Sequence, residues 1–533
     1  MSIASEFQGK RILLTGVTGF LGKVWLSMML QHVDEMGEVL VLIRPQKGSS
    51  ARKRFDAIVE RSPAFRPLRD KHGADVIDFV EKRVRIVEGE ITQPFLGKSR
   101  TVVESEIKDV DLVMHFAGLT DFEPDPTLAL SANIDGAMHA AELAAMSRGK
   151  RYVHCSTSFV AGTSDGDVSE TLQLGVAPNG TSFDIHNEVR TLRMGLQHIE
   201  SKSDRVAYAM GRAAALGWPN IYTYTKGLAE HLVAKRNDIH STTVRPAIVE
   251  CARNYPFPGW NEGINTAGPI VWLLSTTFRR FPSRPKNHFD VIPVDTTARA
   301  CTLVAAAALR NEAKEVYHVG SSDLNPFYFG RAVELTGLAE RKRHRESGTD
   351  FEKHIVSRLD SITVDADKPQ LLSVSQLHRG AQELRRWLRE FNPEDNLSPK
   401  LYRRWGKRIE SNRRRAVKEL RNGERKLGAI RDMLLQYRPF IHDHDYVFKA
   451  GNILHENEKL DPSDRELWRF DIDTLDWRDY WLNVEVPGLE TWCIPKLRGE
   501  RVPEDPPFIH HSTRSTENEL DSETSTGDRS AAQ

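Results

Sequence analysis

Residues Arg11–Gly22 read RILLTGVTGFLG, and the two halves of this stretch decide the fold. Arg11–Thr15 is a short apolar run, as expected of a parallel strand buried on both faces. Thr15-Gly16-Val17-Thr18-Gly19-Phe20-Leu21-Gly22 then sets three glycines where that strand hands over to a helix, expected over Phe20–Val33. In this G-x-x-G-x-x-G turn, Gly16 permits the tight reversal, Gly19 lets a pyrophosphate approach the backbone, and Gly22 lets the helix pack on the strand. The free N–H groups and dipole of the helix start attract phosphate. Three glycines alone are a weak signal; between a strand and a helix, at the head of an alternating chain, they are a strong one.

The alternation continues outward. EVLVLIR (Glu38–Arg44), Val84–Glu88, VDLVMHF (Val110–Phe116), RYVHCS (Arg151–Ser156), STTVRP (Ser241–Pro246) and Val316–Val319 read as strands. Ala51–Arg66, Leu128–Arg148 and Tyr222–Lys235 read as helices between them. Strands alternating with helices predict an α/β fold, a Rossmann-type doubly wound parallel sheet. After about residue 340 the texture becomes polar and helix-prone. The expected organisation is a dinucleotide-binding reductase domain over 1–340, a mainly helical C-terminal domain over 341–510 and a disordered Ser/Thr/Asp/Glu-rich tail over 511–533.

Composition narrows the class. The 533 residues carry 74 Lys plus Arg and 74 Asp plus Glu, so the balance gives no argument for nucleic acid. Four dispersed cysteines, without C-x-x-C, suit a reducing cytosol rather than a disulfide scaffold or zinc site. No His/Asp/Glu spacing suggests a metal, and His115 and His154 read as packed strand residues. Apolar runs such as Ala267–Leu274 are too short to span a bilayer. The expected location is cytoplasmic, with room for peripheral membrane contact.

The end of the second strand argues for the cofactor. A site for NAD places Asp or Glu there, whereas Arg would pair with the 2′-phosphate of NADPH. Here the residue is Arg44, with Lys47 and Arg52–Arg54 beyond it. The chemistry is read from Tyr222-Thr223-Tyr224-Thr225-Lys226. Tyr222 and Lys226 share a helix face, and a nearby ammonium lowers the pKa of a phenol so that it can act on an alkoxide. Tyr224 falls on another face. Ser156-Thr157-Ser158 ends the fifth strand, where a hydroxyl can hold a substrate oxygen. Cys155 next to it raises an acyl-cysteine route, but strand alternation favours a buried structural thiol.

TGVTGFLG, HFAG (His115–Gly118), NIDG (Asn133–Gly136), HCSTS and YTYTK together resemble the extended short-chain dehydrogenase/reductase superfamily. LIRP (Leu42–Pro45), TVRPAIVE (Thr243–Glu250), PFPGW (Pro256–Trp260), VIPVD (Val291–Asp295), VYHVGSSDLNP (Val316–Pro326) and WRDYWLNVEVPGLE (Trp477–Glu490) resemble fatty acyl-CoA reductases, the last block those of bacteria. The resemblance implies an NADPH-dependent reduction of long-chain fatty acyl-CoA, or of an acyl carrier protein thioester, through an aldehyde to a primary fatty alcohol. It implies Thr157, Tyr222 and Lys226 as the catalytic set. It implies Gly16, Thr18, Gly19, Phe20, Leu21, Gly22, Arg44, Ala117, Tyr222, Lys226, Pro246 and Ile248 as cofactor contacts. An aldehyde-forming thioester reductase, or a superfamily member acting on a sterol or nucleotide sugar, would share the constellation. A non-catalytic NADPH sensor would keep the glycine loop without needing Tyr222, Lys226 and Thr157 together.

Two C-terminal features stay open on sequence. Lys400–Arg431 holds thirteen basic and three acidic residues. It suits CoA phosphates, an acidic carrier protein, an anionic membrane or simply a solvated helix face. The aromatics Trp468, Phe470, Trp477, Tyr480, Trp481 and Trp492 suit a core or an acyl tunnel.

Overall fold

A computed structural model describes residues 1–46, 48–264, 267–275, 280–347, 361–365, 374–396 and 398–502. Lys47 and the tail 511–533 lie outside the described residues. Seven parallel strands form one sheet: β1 (Ile12–Thr15), β2 (Val39–Ile43), β3 (Val84–Glu88), β4 (Leu112–His115), β5 (Arg151–Cys155), β6 (His240–Pro246) and β7 (Val316–Val319). Their spatial order is β3-β2-β1-β4-β5-β6-β7, so the order reverses at β1, and the crevice above that switch point is where such sheets hold a ligand. The strands are apolar runs because both faces are covered. Ile12 and Leu14 enter one apolar cluster and Leu13 the opposite one; Val39, Val41 and Ile43 alternate with Leu40 and Leu42 in the same way.

Helix α1 (Phe20–His32) follows the glycine turn and packs on one face. On the other face lies α2 (Gly136–Met146), preceded by a π-helical turn at Leu130–Asp135, so the expected continuous helix over Leu128–Arg148 is broken by one wide turn. Helix α3 (Ile221–Ala234) carries Tyr222 and Lys226. The helix expected over Ala51–Arg66 stops at Arg61, because Pro63 cannot continue the hydrogen-bonding ladder.

The C-terminal third does two different things. The helix Phe329–Ser347 runs through the texture change at 340. Beyond it, α5 (Val374–Glu390) and the 40-residue α6 (Pro399–Arg438) make an antiparallel hairpin. Residues 446–494 then return to the sheet. Tyr446–Phe448 pairs with Gly166–Val168, and Ala450, Ile453, Trp468 and Phe470 join the cluster that holds Ile12 and Leu14. This explains α4 (Val294–Leu309), an alanine-rich helix buried at every position: the sheet covers one side and the returning chain the other. The N-terminus is tied to the same segment, its ammonium donating to Asp461 Oδ1 at 2.7 Å. None of the described helices is long and apolar enough to cross a membrane.

Candidate active site

The glycine turn takes up its geometry for steric reasons. Gly16 has φ +78°, and a Cβ there would lie 2.5 Å from the Ala117 nitrogen. A Cβ on Gly22 would lie 2.4 Å from the Gly16 carbonyl oxygen. Gly19, the N-cap of α1, is different: within 4 Å its Cβ would meet only the Gly16 oxygen, at 3.3 Å, and its outer side is open. No side chain caps α1. The first N–H groups of the helix therefore point unsatisfied into a cleft lined by Gly16, Gly19, Phe20, Leu21 and Gly22. An open backbone cradle with no side-chain cap fits the pyrophosphate of a dinucleotide.

The cleft has a volume of about 680 Å³ and runs along the carboxyl ends of the central strands. Thr157, Tyr222, Pro246 and Ile248 line it. Thr18 lies in the turn, half-buried, and Ala117 hydrogen-bonds Thr15 Oγ1 through its backbone nitrogen; neither is among the lining residues. Arg44 lies at the end of β2 away from the cleft lining, exposed, with its Nη1 3.2 Å from Glu90 Oε2. The basic cluster beyond it is engaged locally. Arg52 pairs with Asp56 and Glu81, and Arg54 donates to the Arg44 carbonyl at 2.8 Å.

At the cleft floor the three hydroxyls of Ser156-Thr157-Ser158 are sorted by their surroundings. Ser158 Oγ donates to the Arg245 carbonyl at 2.7 Å and is used up structurally. Thr157 Oγ1 accepts from the Phe159 nitrogen at 3.3 Å, lines the cleft with Tyr222 and favours the ionised form of its phenol. Ser156 Oγ is buried without a partner beside them. Asn220 sets the entry of α3 by accepting from the Thr223 nitrogen at 2.8 Å, which turns Tyr222 toward Thr157. Tyr224 points the other way, to Glu188 within a buried group that includes Arg212.

Lys226 Nζ donates to the Cys155 carbonyl at 2.6 Å. Asn133, delivered by the π turn, braces this corner: its Oδ1 accepts from the Leu119 nitrogen at 2.7 Å and its Nδ2 donates to Thr225 Oγ1 at 3.0 Å. The NIDG motif contains Asn133, but its bracing role depends on the π turn, which periodicity does not announce.

The electrostatics bear on the expectation that Lys226 and an oxidised nicotinamide together lower the Tyr222 pKa. In the chain alone, burial raises it above the ordinary phenol value, Cys155 adds to the rise, and only Thr157 opposes it. Lys226 is itself lowered, chiefly by burial. The resting phenol therefore keeps its proton, as a proton donor must. Cys155, expected to be a buried structural thiol, is half-buried at the end of β5 and is among the residues lining the cleft. Its thiol is raised by burial, so a thiolate nucleophile is disfavoured. His115 and His154 are buried strand residues, held below the usual imidazole range by burial.

The far wall is aromatic and comes from three separate segments. Phe122 follows β4, Phe159 follows β5, and Tyr437 and Phe440 lie at and just past the end of α6. The Phe122 ring is 5.3 Å from Tyr437 and 5.5 Å from Phe440, and Phe159 is 5.2 Å from Phe440. The tryptophans of 468–492 are elsewhere. Trp468, Trp481 and Trp492 are packed in the core, with Trp481 Nε1 donating to Thr336 Oγ1 at 2.9 Å.

Comparison with known proteins accords with this geometry. Residues 14–301, more than half of the chain, match the NAD-binding domain family described as male sterility protein. A probable fatty acyl-CoA reductase 4 of Arabidopsis thaliana is 27% identical over 514 residues, covering 91% of this chain and 98% of its own length. The alcohol-forming fatty acyl-CoA reductase of Simmondsia chinensis is 30% identical over 351 residues, covering 63% of this chain and 71% of its own. Among solved structures, the terminal R domain of the myxalamid biosynthetic pathway aligns at a TM-score of 0.49 with 17% identity, over 84% of each chain. An uncapped glycine cradle on a seven-stranded parallel sheet, with Tyr222 lining its crevice and Lys226 buried behind it on the Cys155 carbonyl, thus stands in a chain that belongs to the fatty acyl-CoA reductase family of the extended short-chain dehydrogenases/reductases.

Proposed function

We propose that the protein reduces long-chain fatty acyl-CoA to the primary fatty alcohol through the aldehyde, with NADPH as reductant. One observation carries the reading: Tyr222 and Thr157 line the same cleft, with a phosphate-type cradle on one side and an aromatic wall on the other. The residues proposed to hold the cofactor are the backbone of Gly16–Gly22, Arg44 toward a 2′-phosphate, and Lys226, Pro246 and Ile248 toward the nicotinamide end. When bound, the reduced nicotinamide supplies hydride.

Thr157 and Tyr222 hold the thioester carbonyl oxygen, and Tyr222 gives it a proton as negative charge develops there. The resulting hemithioacetal loses CoA thiol and leaves an aldehyde. In the second round, Tyr222 protonates the alkoxide of the alcohol. Two reductant equivalents and two protons enter per thioester. The aromatic wall of Phe122, Phe159, Tyr437 and Phe440 is suited to the acyl chain and excludes water. The raised thiol of Cys155 leaves direct hydride delivery as the favoured route over an acyl-cysteine.

The test is stoichiometric. Purified protein with hexadecanoyl-CoA is expected to oxidise two NADPH per CoA released and to yield hexadecanol by gas chromatography. One NADPH with hexadecanal would make the enzyme aldehyde-forming; no turnover on any acyl thioester would overturn the reading. Arg44→Ala is expected to raise the KM for NADPH roughly tenfold while leaving that for NADH within about twofold, the scale of one charge-assisted contact.

A further inference from the structure

We infer that a groove between α6 and the entry of α3 takes the amide-bearing arm of the thioester, and that Lys418, Arg421 and Arg425 beyond it meet the phosphate at the arm's far end. The inference rests on the reading of the protein as a reductase of acyl thioesters and places the part of the substrate which that reading leaves unplaced. The arm is phosphopantetheine, the same chemistry whether CoA or an acyl carrier protein delivers it.

The cleft offers nothing to the anionic end of such a substrate. Its anion-binding feature is the backbone cradle at Gly16–Gly22, which the proposed cofactor takes. Among the described residues no lysine or arginine lines it; its charged side chains are Asp121 and Glu262, the latter held by Lys23 at 2.5 Å. The wall stays aromatic on its Phe159 side, where Tyr446 and Phe448 lie 5.7 and 5.4 Å from that ring. On its Phe122 side the surroundings turn polar.

A groove of about 280 Å³ opens there, sharing Phe122 and Gln436 with the cleft. The Phe122 ring lies 6.3 Å from that of Tyr222, so the groove starts beside the proposed reacting carbonyl. Two side-chain amides, Asn220 and Gln436, and two carboxylates, Glu123 and Asp432, line it among apolar residues such as Met210 and Leu435. Asn220 is only 3% exposed; its Oδ1 accepts from the Thr223 nitrogen, and its Nδ2 is buried without a partner. An alkyl chain would leave such a lining unsatisfied. A chain of amides matches it: carbonyls accept from the side-chain amides, and N–H groups donate to the carboxylates. The same carboxylates repel phosphate, so a phosphorylated arm must end beyond them.

Beyond them α6 supplies the charge. Gln436, Asp432, Arg425, Arg421 and Lys418 are spaced four, seven, four and three apart, on one face of the helix. Asp432 is engaged by Arg431 at 2.7 Å. Lys418, Arg421 and Arg425 are exposed and, among the described residues, pair with no carboxylate. From Gln436 to Arg425 the helix rises about 16 Å. The arm has about thirteen bonds from thioester sulfur to phosphorus, which span roughly 16 Å when extended at ~3.8 Å per three bonds. The reach of the arm thus equals the distance from the cleft to the first unpaired arginine of that face.

The test compares dodecanoyl-CoA with dodecanoyl-pantetheine, the same arm without phosphate, and with dodecanal, which has no arm, all with NADPH. Wild type is expected to show a kcat/KM about tenfold higher on the CoA thioester, the scale of a phosphate between exposed cations. Arg421→Gln/Arg425→Gln should remove that preference through KM, with kcat and the other two substrates within about twofold of wild type. Met210→Trp/Leu435→Trp, which fills the groove, should lower kcat/KM on both thioesters about tenfold while dodecanal is reduced as before. A dodecanoyl carrier protein brings the same phosphorylated arm: a KM below that of the CoA thioester names the carrier as its source, a higher one names CoA, and the arginine variant must raise either. Equal kcat/KM on CoA and pantetheine thioesters in wild type would overturn the inference. So would a groove variant of unchanged melting temperature that loses aldehyde and thioester reduction alike. Turnover of neither thioester would overturn the proposed function, and this inference with it.

Discussion

Tyr222 and Tyr224 stand two residues apart on one helix and do opposite jobs. The turn of α3 sends the first hydroxyl to Thr157 in the cleft and the second to Glu188 in the interior. Tyr222→Phe should lower kcat by about a hundred- to ten-thousandfold with little change in cofactor affinity. Tyr224→Phe should keep kcat and lose about 1–2 kcal/mol of stability in urea titration, as a buried hydrogen bond is lost. Glu170 offers a second residue-scale prediction. It accepts from the His318 nitrogen at 2.9 Å and the Asn452 nitrogen at 2.7 Å, joining β7 to the returning C-terminal chain. Burial raises its carboxyl to about 7, against the two backbone donors. The folded state therefore binds this proton more tightly than the unfolded chain. The stability it contributes is complete below pH 4.5 and is lost as pH rises through about 7. The difference in melting temperature between wild type and Glu170→Gln should shift against wild type across that window; a difference independent of pH would refute the assignment.

At the scale of an element, the glycine turn separates packing from binding. Gly22 faces backbone, so Gly22→Ala must push α1 off β1 and should lower both melting temperature and cofactor affinity. Gly19 faces the open cleft, so Gly19→Ala should melt within a few degrees of wild type yet bind cofactor at least about tenfold more weakly. Paired thermal melts and cofactor titrations decide it; equal losses of stability in the two variants would contradict the geometry. These elements were legible because each is a local rule: apolar runs for buried strands, glycines at a strand–helix turn, i and i+4 on one helix face. The breaks were less legible. Pro63 ends its helix by a local rule too, but the π turn that delivers Asn133 has no composition of its own.

At the scale of the molecule, the last described residues belong to the first core. Phe470 is fully buried in the cluster that holds Ile12 and Leu14. Phe470→Ala should cost about 3–5 kcal/mol in urea unfolding, the range for a large buried ring, despite its distance in sequence from the sheet it supports. A loss below about 1 kcal/mol would mean the C-terminal segment folds independently of that sheet.

The sequence by itself determined the sheet, the cradle and the spacing of Tyr222 and Lys226, because these follow from neighbours within a turn or a strand. Tertiary structure sorted the hydroxyls of Ser156-Thr157-Ser158 by their partners, since these depend on how the exit of β5 lies against its neighbours. It decided that burial raises the Tyr222 phenol, because desolvation depends on everything packed around a group and not on its sequence neighbours. It also decided the aromatic wall. Phe122, Phe159, Tyr437 and Phe440 share no motif and no period, and they meet only because the chain returns after α6 to cover the crevice.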